Sequence, residues 1–220
     1  DGDFRSEECI ELLKESDIVV TNPPFSLFRE FVALLFKYEK KFLIIGNKNA
    51  ITYKEIFPLI KENKMWLGVH HPQMYEIPNP VNKKGVIVGE DGKSYANVGT
   101  FWFTNLEHGV RRRELILMTM EDNRRYNKKI QNNPNSYKKY DNYDAIEVPY
   151  TDAIPSDYDG VMGVPISFLD KYNPEQFEIV GMARHNDYNA DGGYWTGGKN
   201  DATINGKDVY KRILIKHKRK

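Results

Sequence analysis

One short stretch carries residue types that can do chemistry together: Asn22-Pro23-Pro24-Phe25, directly after the apolar run Asp17-Ile18-Val19-Val20-Thr21. β-branched residues favour a strand, and a strand followed by Asn-Pro-Pro must stop there. Each proline fixes φ and lacks an N–H, so the turn offers carbonyl acceptors with few competing donors. Beside them stand the side-chain oxygen of Asn22 and the flat ring of Phe25. Two acceptors converging next to an aromatic face suit a planar amine, whose two N–H groups they accept while the ring stacks. In open α/β sheets, ligands bind beyond the carboxyl ends of the strands, which is where this tip belongs.

The elements around the motif read as alternating helices and buried strands. Ser6 to Glu15 is a short amphipathic helix capped by Ser6, with Cys9 on its apolar side. Ser26 to Lys40 fits a second helix, with Leu27, Phe31, Leu34 and Leu35 on one side. Phe42-Leu43-Ile44-Ile45, closed by Gly46, is a second strand. Thr52 and Glu55 are spaced as a capping box for a helix reaching about Asn63, and Met65 to Val69 is a third strand. Short continuous apolar strands between helices imply a mostly parallel sheet covered on both faces.

After His70 the pattern turns to β. Residues 85–88 and 98–104 read as hairpin arms around Gly89-Glu90-Asp91-Gly92, and Glu114 to Met120 as a further strand. Residues 121–160 read as long loops rich in Asn, Asp, Tyr and Pro. Phe177 to Met182 and Val209 to Lys216 read as two strands joined by a Gly/Asn-rich segment. The division falls at 69/70, with sheet completion and target recognition assigned to 70–220.

Composition narrows the class. The 220 residues are 40% apolar and 29% charged, which excludes a disordered or collagen-like chain. The single cysteine, Cys9, excludes a disulfide framework and a Cys-rich zinc site and fits a reducing, cytoplasmic setting. The formal charge of +1 is the sum of opposed blocks. Residues 111–140 hold nine Lys or Arg against three acids, residues 141–180 nine acids against one Lys, and the last ten residues six cations and no acid. Any one block reads as a solvated face; alternating blocks with 13% aromatic residues fit a groove for a polyanion with unstacked bases.

Asn22-Pro23-Pro24-Phe25 resembles the (Asp/Asn)-Pro-Pro-aromatic motif of S-adenosylmethionine-dependent amino-methyltransferases, and its Asn form is similar to that of the N6-adenine DNA methyltransferases. Asp3-Phe4, one helix upstream, resembles the acidic-aromatic pair that such enzymes place at the cofactor's adenine. Leu27 to Phe31 resembles the segment after the motif, whose last Phe packs on that adenine. Gly163 to Asp170 and Gln176 to Gly181 resemble the EcoRI-type adenine-specific methyltransferases, a similarity that covers nearly the whole chain.

The resemblance implies a partial Rossmann-like α/β methyltransferase sheet followed by a β-rich, loop-rich part. It implies methyl transfer from S-adenosylmethionine to a flipped adenine of double-stranded DNA in a restriction-modification system. Asn22, Pro23, Pro24 and Phe25 would be catalytic and Asp3, Phe4 and Phe31 cofactor-binding. Arg111, Arg112, Arg113, Arg124 and Arg125 are the expected phosphate contacts. Phe101-Trp102-Phe103 stands where similar enzymes carry a second base-stacking aromatic, although core packing is the commoner reason for such a run. RNA adenine, a protein glutamine amide, or a non-catalytic DNA-binding role remain alternatives, because the motif fits any planar amine.

Other patterns carry less. Asp187-x-Asn189-x-Asp191-Gly192 opens like a calcium loop, but Gly198 stands at the twelfth position where Glu is required, which leaves a flexible Gly-rich hairpin. His70-His71 has no ligand-spaced partner and reads as loop. Neither Gly160-x-x-Gly163 nor Gly197-Gly198-Lys199 joins a strand to a helix, so neither cradles phosphate.

The family's glycine-rich turn and ribose-binding acid lie upstream of the Asn-Pro-Pro motif, and here 21 residues containing one Gly precede Asn22. The expectation is a part of a longer enzyme, partnered by its missing N-terminal portion. This chain alone is therefore expected to bind S-adenosylmethionine weakly or not at all. Titration calorimetry checks this, and micromolar affinity would contradict it.

Overall fold

The computed structural model describes residues 3–71, 74–78, 86–97, 99–185 and 188–218. The chain is mixed α/β with several sheets and divides into two compact units, Asp1–Glu107 and His108–Lys220.

The N-terminal unit opens with α1 (Glu7–Glu15), whose N-cap Ser6 accepts a hydrogen bond from the Cys9 N–H. Only Leu13 of this helix is buried, Cys9 is half-buried, and Leu12 faces solvent. Next come β1 (Ile18–Thr21), a 3₁₀ turn at Phe25–Leu27, α2 (Phe28–Lys37) and β2 (Lys41–Asn47). β1 and β2 pair in parallel, Ile18 opposite Lys41 and Thr21 opposite Ile44. The buried stripe of α2 is Phe28, Phe31, Val32 and Leu35, a 3–4 spacing. It is rotated from the expected face, leaving Leu27 and Leu34 half-buried, because the 3₁₀ turn delays the helix to Phe28.

A 3₁₀ turn at Lys48–Thr52 and α3 (Phe57–Lys61) follow. The capping box expected at Thr52 and Glu55 does not start a helix. The Thr52 hydroxyl donates to the Asn49 carbonyl, Glu55 pairs with Arg29, and the helix begins beyond Ile56 with Pro58 in its first turn. Proline is tolerated there because that N–H has no helical partner.

β3 (Trp66–Leu67) completes the first run. β4 (Tyr75–Glu76), β5 (Val86–Val88) and β6 (Ser94–Ala96) form a small antiparallel sheet, Val88 opposite Ser94 across the Gly89–Lys93 turn. The hairpin partner is thus 94–96 rather than 98–104; Gly85 and Val98 lie outside the described residues. Instead, β7 (Thr100–Thr104) enters the first sheet between β2 and β3, antiparallel to both, in the order β1-β2-β7-β3. That insertion carries the unit past residue 69, and the sheet is mixed rather than mostly parallel. Gly46 is required where the layers meet: a Cβ there would lie 2.5 Å from the Phe28 ring and 2.9 Å from that of Phe103.

The C-terminal unit holds α4 (Met120–Tyr126), α5 (Lys128–Gln131), β8 (Ile146–Glu147), β9 (Met162–Pro165), β10 (Phe177–Met182), β11 (Thr203–Ile204), β12 (Lys207–Asp208) and β13 (Arg212–His217). The two short helices lie where sequence predicts loops; Thr119 caps the first through its bond from the Asp122 N–H. The main sheet runs β10-β13-β9-β8 and pairs the two strands expected at 177–182 and 209–216. Of the strand expected at Glu114 to Met120, residues 114–119 join no ladder among the described residues and Met120 opens α4. There the Gln176 amide bridges the chain, accepting from the Leu115 N–H and donating to its carbonyl.

A buried ion pair locks this sheet. Glu147 takes Arg212 Nη2 at 2.7 Å and Nε at 3.1 Å, and accepts the Tyr140 hydroxyl at 2.5 Å. Their side chains are 3% and 12% exposed. Burial, then the Glu147 charge, pushes the Tyr140 phenol well above its usual range. An isolated buried charge is costly, so removing one partner strands the other. Glu147→Ala should lower stability by about 3–5 kcal/mol in urea unfolding. A loss below about 1 kcal/mol, as for an exposed pair, would contradict this role.

Candidate active site

Asn22 and Pro23 lie just past the carboxyl end of β1. Asn22 is exposed, Pro23 buried and Pro24 exposed, so the chain is pinned at one proline while the amide faces outward. Pro24 is extended (φ −56°, ψ 129°), and its carbonyl accepts the Leu27 N–H at 3.0 Å, closing the 3₁₀ turn. That leaves the Pro23 carbonyl and the Asn22 carboxamide with no hydrogen bond among the described residues. Phe25 opens the turn with 36% of its surface exposed. Two free acceptors and an exposed ring therefore share one strand end, held by a turn that cannot lengthen the ladder.

The sheet register brings part of the aromatic run to the same end. Thr21 is opposite Ile44, and Gly46, two residues further along β2, is opposite Phe101. Phe103 is fully buried against Phe28 at 5.0 Å, so it serves the core. Trp102 lies on the other face, where a Cβ at Gly68 would approach its own Cβ to 2.8 Å. Phe101 stacks on His71 at 4.2 Å, and His71 Nδ1 accepts the Trp102 N–H. His71, read from sequence as loop, thus supports the start of β7.

Asp3, Phe4 and Phe31 are also brought together. The Phe4 and Phe31 rings meet edge to face at 5.2 Å. Beside them Arg5 grips the Asp3 carboxylate at 2.8 Å and reaches Glu30 at 3.2 Å. The Arg5 hydrogen bonds, side chain first and then backbone, hold the Asp3 carboxyl down at about 2.

The arginines split. Arg111 is buried, 5% exposed, in a 3₁₀ turn at Gly109–Arg112, so it lacks the surface exposure that the expected phosphate contact requires. Arg112 and Arg113 are exposed, and Arg112 lines a groove of about 550 Å³ with Glu114, Gln176 and His217. Arg124 and Arg125 are exposed in the last turn of α4, over the rings of Tyr137 and Tyr126. Sequence reasoning missed the partners of Glu147 and the anchoring of His185 by Asp191. The first joins residues far apart in sequence, and the second spans a six-residue separation inside a loop that matches no helix or strand period.

The matched family model spans residues 1–218 and describes the adenine-specific methyltransferase EcoRI. The chain belongs to this family. It is 50% identical over 228 residues to the Type II methyltransferase M.EcoRI of Escherichia coli, covering all of this chain and 63% of that protein. It is 39% identical to the Type II methyltransferase M.MgeORF184P of Mycoplasma genitalium, covering 98% of this chain and 69% of that one. Against M.MpnI of Mycoplasma pneumoniae the identity is 42%, covering 81% and 56%. The chain therefore spans roughly two thirds of the length of these relatives or less. No solved structure matches it. Within the described residues, no helix is long and apolar enough to cross a membrane.

The Asp3–Arg5 geometry makes a direct prediction. The Asp3 carboxyl should titrate by NMR at about 2, and Arg5→Ala should return it toward its ordinary value of 3.8. An unchanged midpoint in the variant would contradict the contact.

Proposed function

We propose that this chain carries the catalytic strand end of an enzyme that methylates the exocyclic amine of adenine in double-stranded DNA, within a restriction-modification system. The observation that carries the reading is the pair of free acceptors at Asn22 and Pro23 beside exposed Phe25, in a member of an adenine-specific methyltransferase family. The β1-α2-β2 unit, with the motif at the carboxyl end of β1, fits one half of a Rossmann-like sheet.

The chemistry follows from the amine. Its lone pair is delocalised into the purine ring, which makes it a weak nucleophile. The Asn22 side-chain oxygen and the Pro23 carbonyl take its two protons and draw the nitrogen toward a pyramidal form, with the lone pair aimed out of the ring plane. Phe25 holds the ring face and fixes the approach. Holding the reacting groups in line provides much of the acceleration, and dipoles already in place need no reorganisation. Asn22 is no base, so the proton leaves to solvent after transfer.

S-adenosylmethionine supplies the electrophilic methyl group when bound. The apolar Phe4–Phe31 pair with the Asp3 carboxylate alongside suits a purine: rings to pack on, and an acceptor for an exocyclic amine. β1 is the edge of its sheet among the described residues, so its backbone can take a further strand, and Ile18 and Val20, 50% and 65% exposed, leave one face of it uncovered.

A base within a duplex cannot reach this strand end, so the adenine must turn out of the helix. Phe101, stacked on His71 at the same sheet end, is the second ring proposed to face it. Arg112, Arg113, Arg124 and Arg125 would neutralise phosphates; Arg111, being buried, is withdrawn from that set.

Tritium transfer from labelled S-adenosylmethionine to duplex DNA by the whole protein is the test. Asn22→Ala should reduce kcat by about 10²-fold or more, with a smaller effect on KM for DNA. Undiminished transfer would refute the assigned role.

A further inference from the structure

The Gly-rich segment between β10 and β11 reads from sequence as a flexible hairpin, yet it is built around a held histidine. His185 Nδ1 lies 2.6 Å from Asp191 Oδ2, and the Asp191 side chain is only 4% exposed. The other Asp191 oxygen accepts the Gly193 N–H at 2.7 Å. A carboxylate oxygen accepts, so Nδ1 is the donor and the ring orientation is set. Trp195 stacks flush on the imidazole, centroids 3.8 Å apart and planes within 7°. The His185 N–H bonds the Asn200 carbonyl, which also accepts the hydroxyl of buried Tyr143.

The segment is anchored from beneath as well. Buried Asn142 donates to the Lys199 and Asp201 carbonyls and accepts from the Thr203 N–H. Gly192, at φ +64°, packs where a Cβ would sit 2.1 Å from the Val180 carbonyl oxygen. The imidazole is thus fixed by a buried carboxylate, an aromatic face and its own backbone. Yet its side chain is 30% exposed, and Nε2 makes no hydrogen bond among the described residues.

The surroundings are open to a large polar ligand. A Cβ at Gly193 or Gly197 would meet nothing within 4 Å, so the surface there is bare backbone that another molecule can approach closely. Half-buried Arg184 and Lys211 lie near one another. Burial, then the Arg184 charge, lowers the Lys211 ammonium, with Asp201 opposing. An incoming anion would relieve this crowding of two cations.

We propose that His185 is a specificity-determining residue that presents Nε2 to a base edge in a groove of the DNA. This rests on the DNA-methylating reading above. The choice of base over phosphate follows from rigidity. Phosphate contacts need charge and tolerate flexible side chains, whereas reading a base needs a donor or acceptor held in one direction. Asp191 and Trp195 are positioning residues that supply that direction.

The test maps methylated adenines on plasmid DNA from cells whose only adenine methyltransferase is the whole protein, using single-molecule sequencing. The unaltered protein defines a sequence motif. His185→Ala should relax one position of that motif by about tenfold or more. Asp191→Asn, which keeps the volume and disturbs the ring's orientation, should relax the same position and decides the matter if His185→Ala fails to fold. Loss of methylation spread evenly over all sequences would mark a phosphate contact and overturn the assignment. So would an unchanged motif in a variant that only melts earlier. Absence of adenine methylation by the unaltered protein would instead count against the DNA-methylating reading itself.

Discussion

A proline has no N–H to give to a neighbouring strand, and two in succession end a parallel ladder at a fixed place. The candidate site depends on this. β1 pairs with β2 as far as Thr21, Pro23 is buried, and the Pro24 carbonyl closes the 3₁₀ turn that leads into α2. Termination itself frees one acceptor: the Pro23 carbonyl has no ladder partner because the strand has stopped, and the exposed Asn22 side chain stands beside it. The packing behind them is equally constrained. Gly46 has no room for a side chain between Phe28 and Phe103, so α2, β2 and β7 meet at one close contact below the strand ends.

In the C-terminal unit, polar groups rather than turns set the geometry. Glu147 joins β8 to β13 through Arg212 and draws in Tyr140, while Asn142 ties together the backbone from Lys199 to Thr203. Buried polar groups are costly unless satisfied, so such networks admit few alternative arrangements. A chain region with little regular structure can therefore still hold a side chain such as His185 in one orientation. Loop composition and rigidity are separate properties here.

Where chemistry and structure are local, sequence was informative. The β-branched run before Asn22, the Ser6 cap and the strand closed by Gly46 lie within a few residues of their predicted places. The carbonyl acceptor follows from proline's missing donor, and the second from the amide side chain of Asn22. Non-local pairing was illegible. Nothing in Thr100–Thr104 tells that it inserts antiparallel between β2 and β3 rather than closing a hairpin with 86–88. Residues 114–119 have strand-like composition, but the Gln176 side chain occupies the edge where a partner strand would pair. Arg111 belongs to a basic run whose neighbours are exposed, and only the 3₁₀ turn at 109–112 buries it. His185 and Asp191 are masked by the glycines around them, whose positive φ values signal turns but not what the turns enclose.

The central claim is that the strand end at Asn22 holds an exocyclic amine of adenine. The most direct measurement is the nucleoside composition of duplex DNA after incubation with the whole protein and S-adenosylmethionine, digested and resolved by mass spectrometry. N6-methyladenine as the sole methylated nucleoside is the predicted result. Methyl groups on a ring carbon, such as C5 of cytosine, would contradict the account, because two acceptors beside a stacking ring activate an amine and offer a carbon nothing.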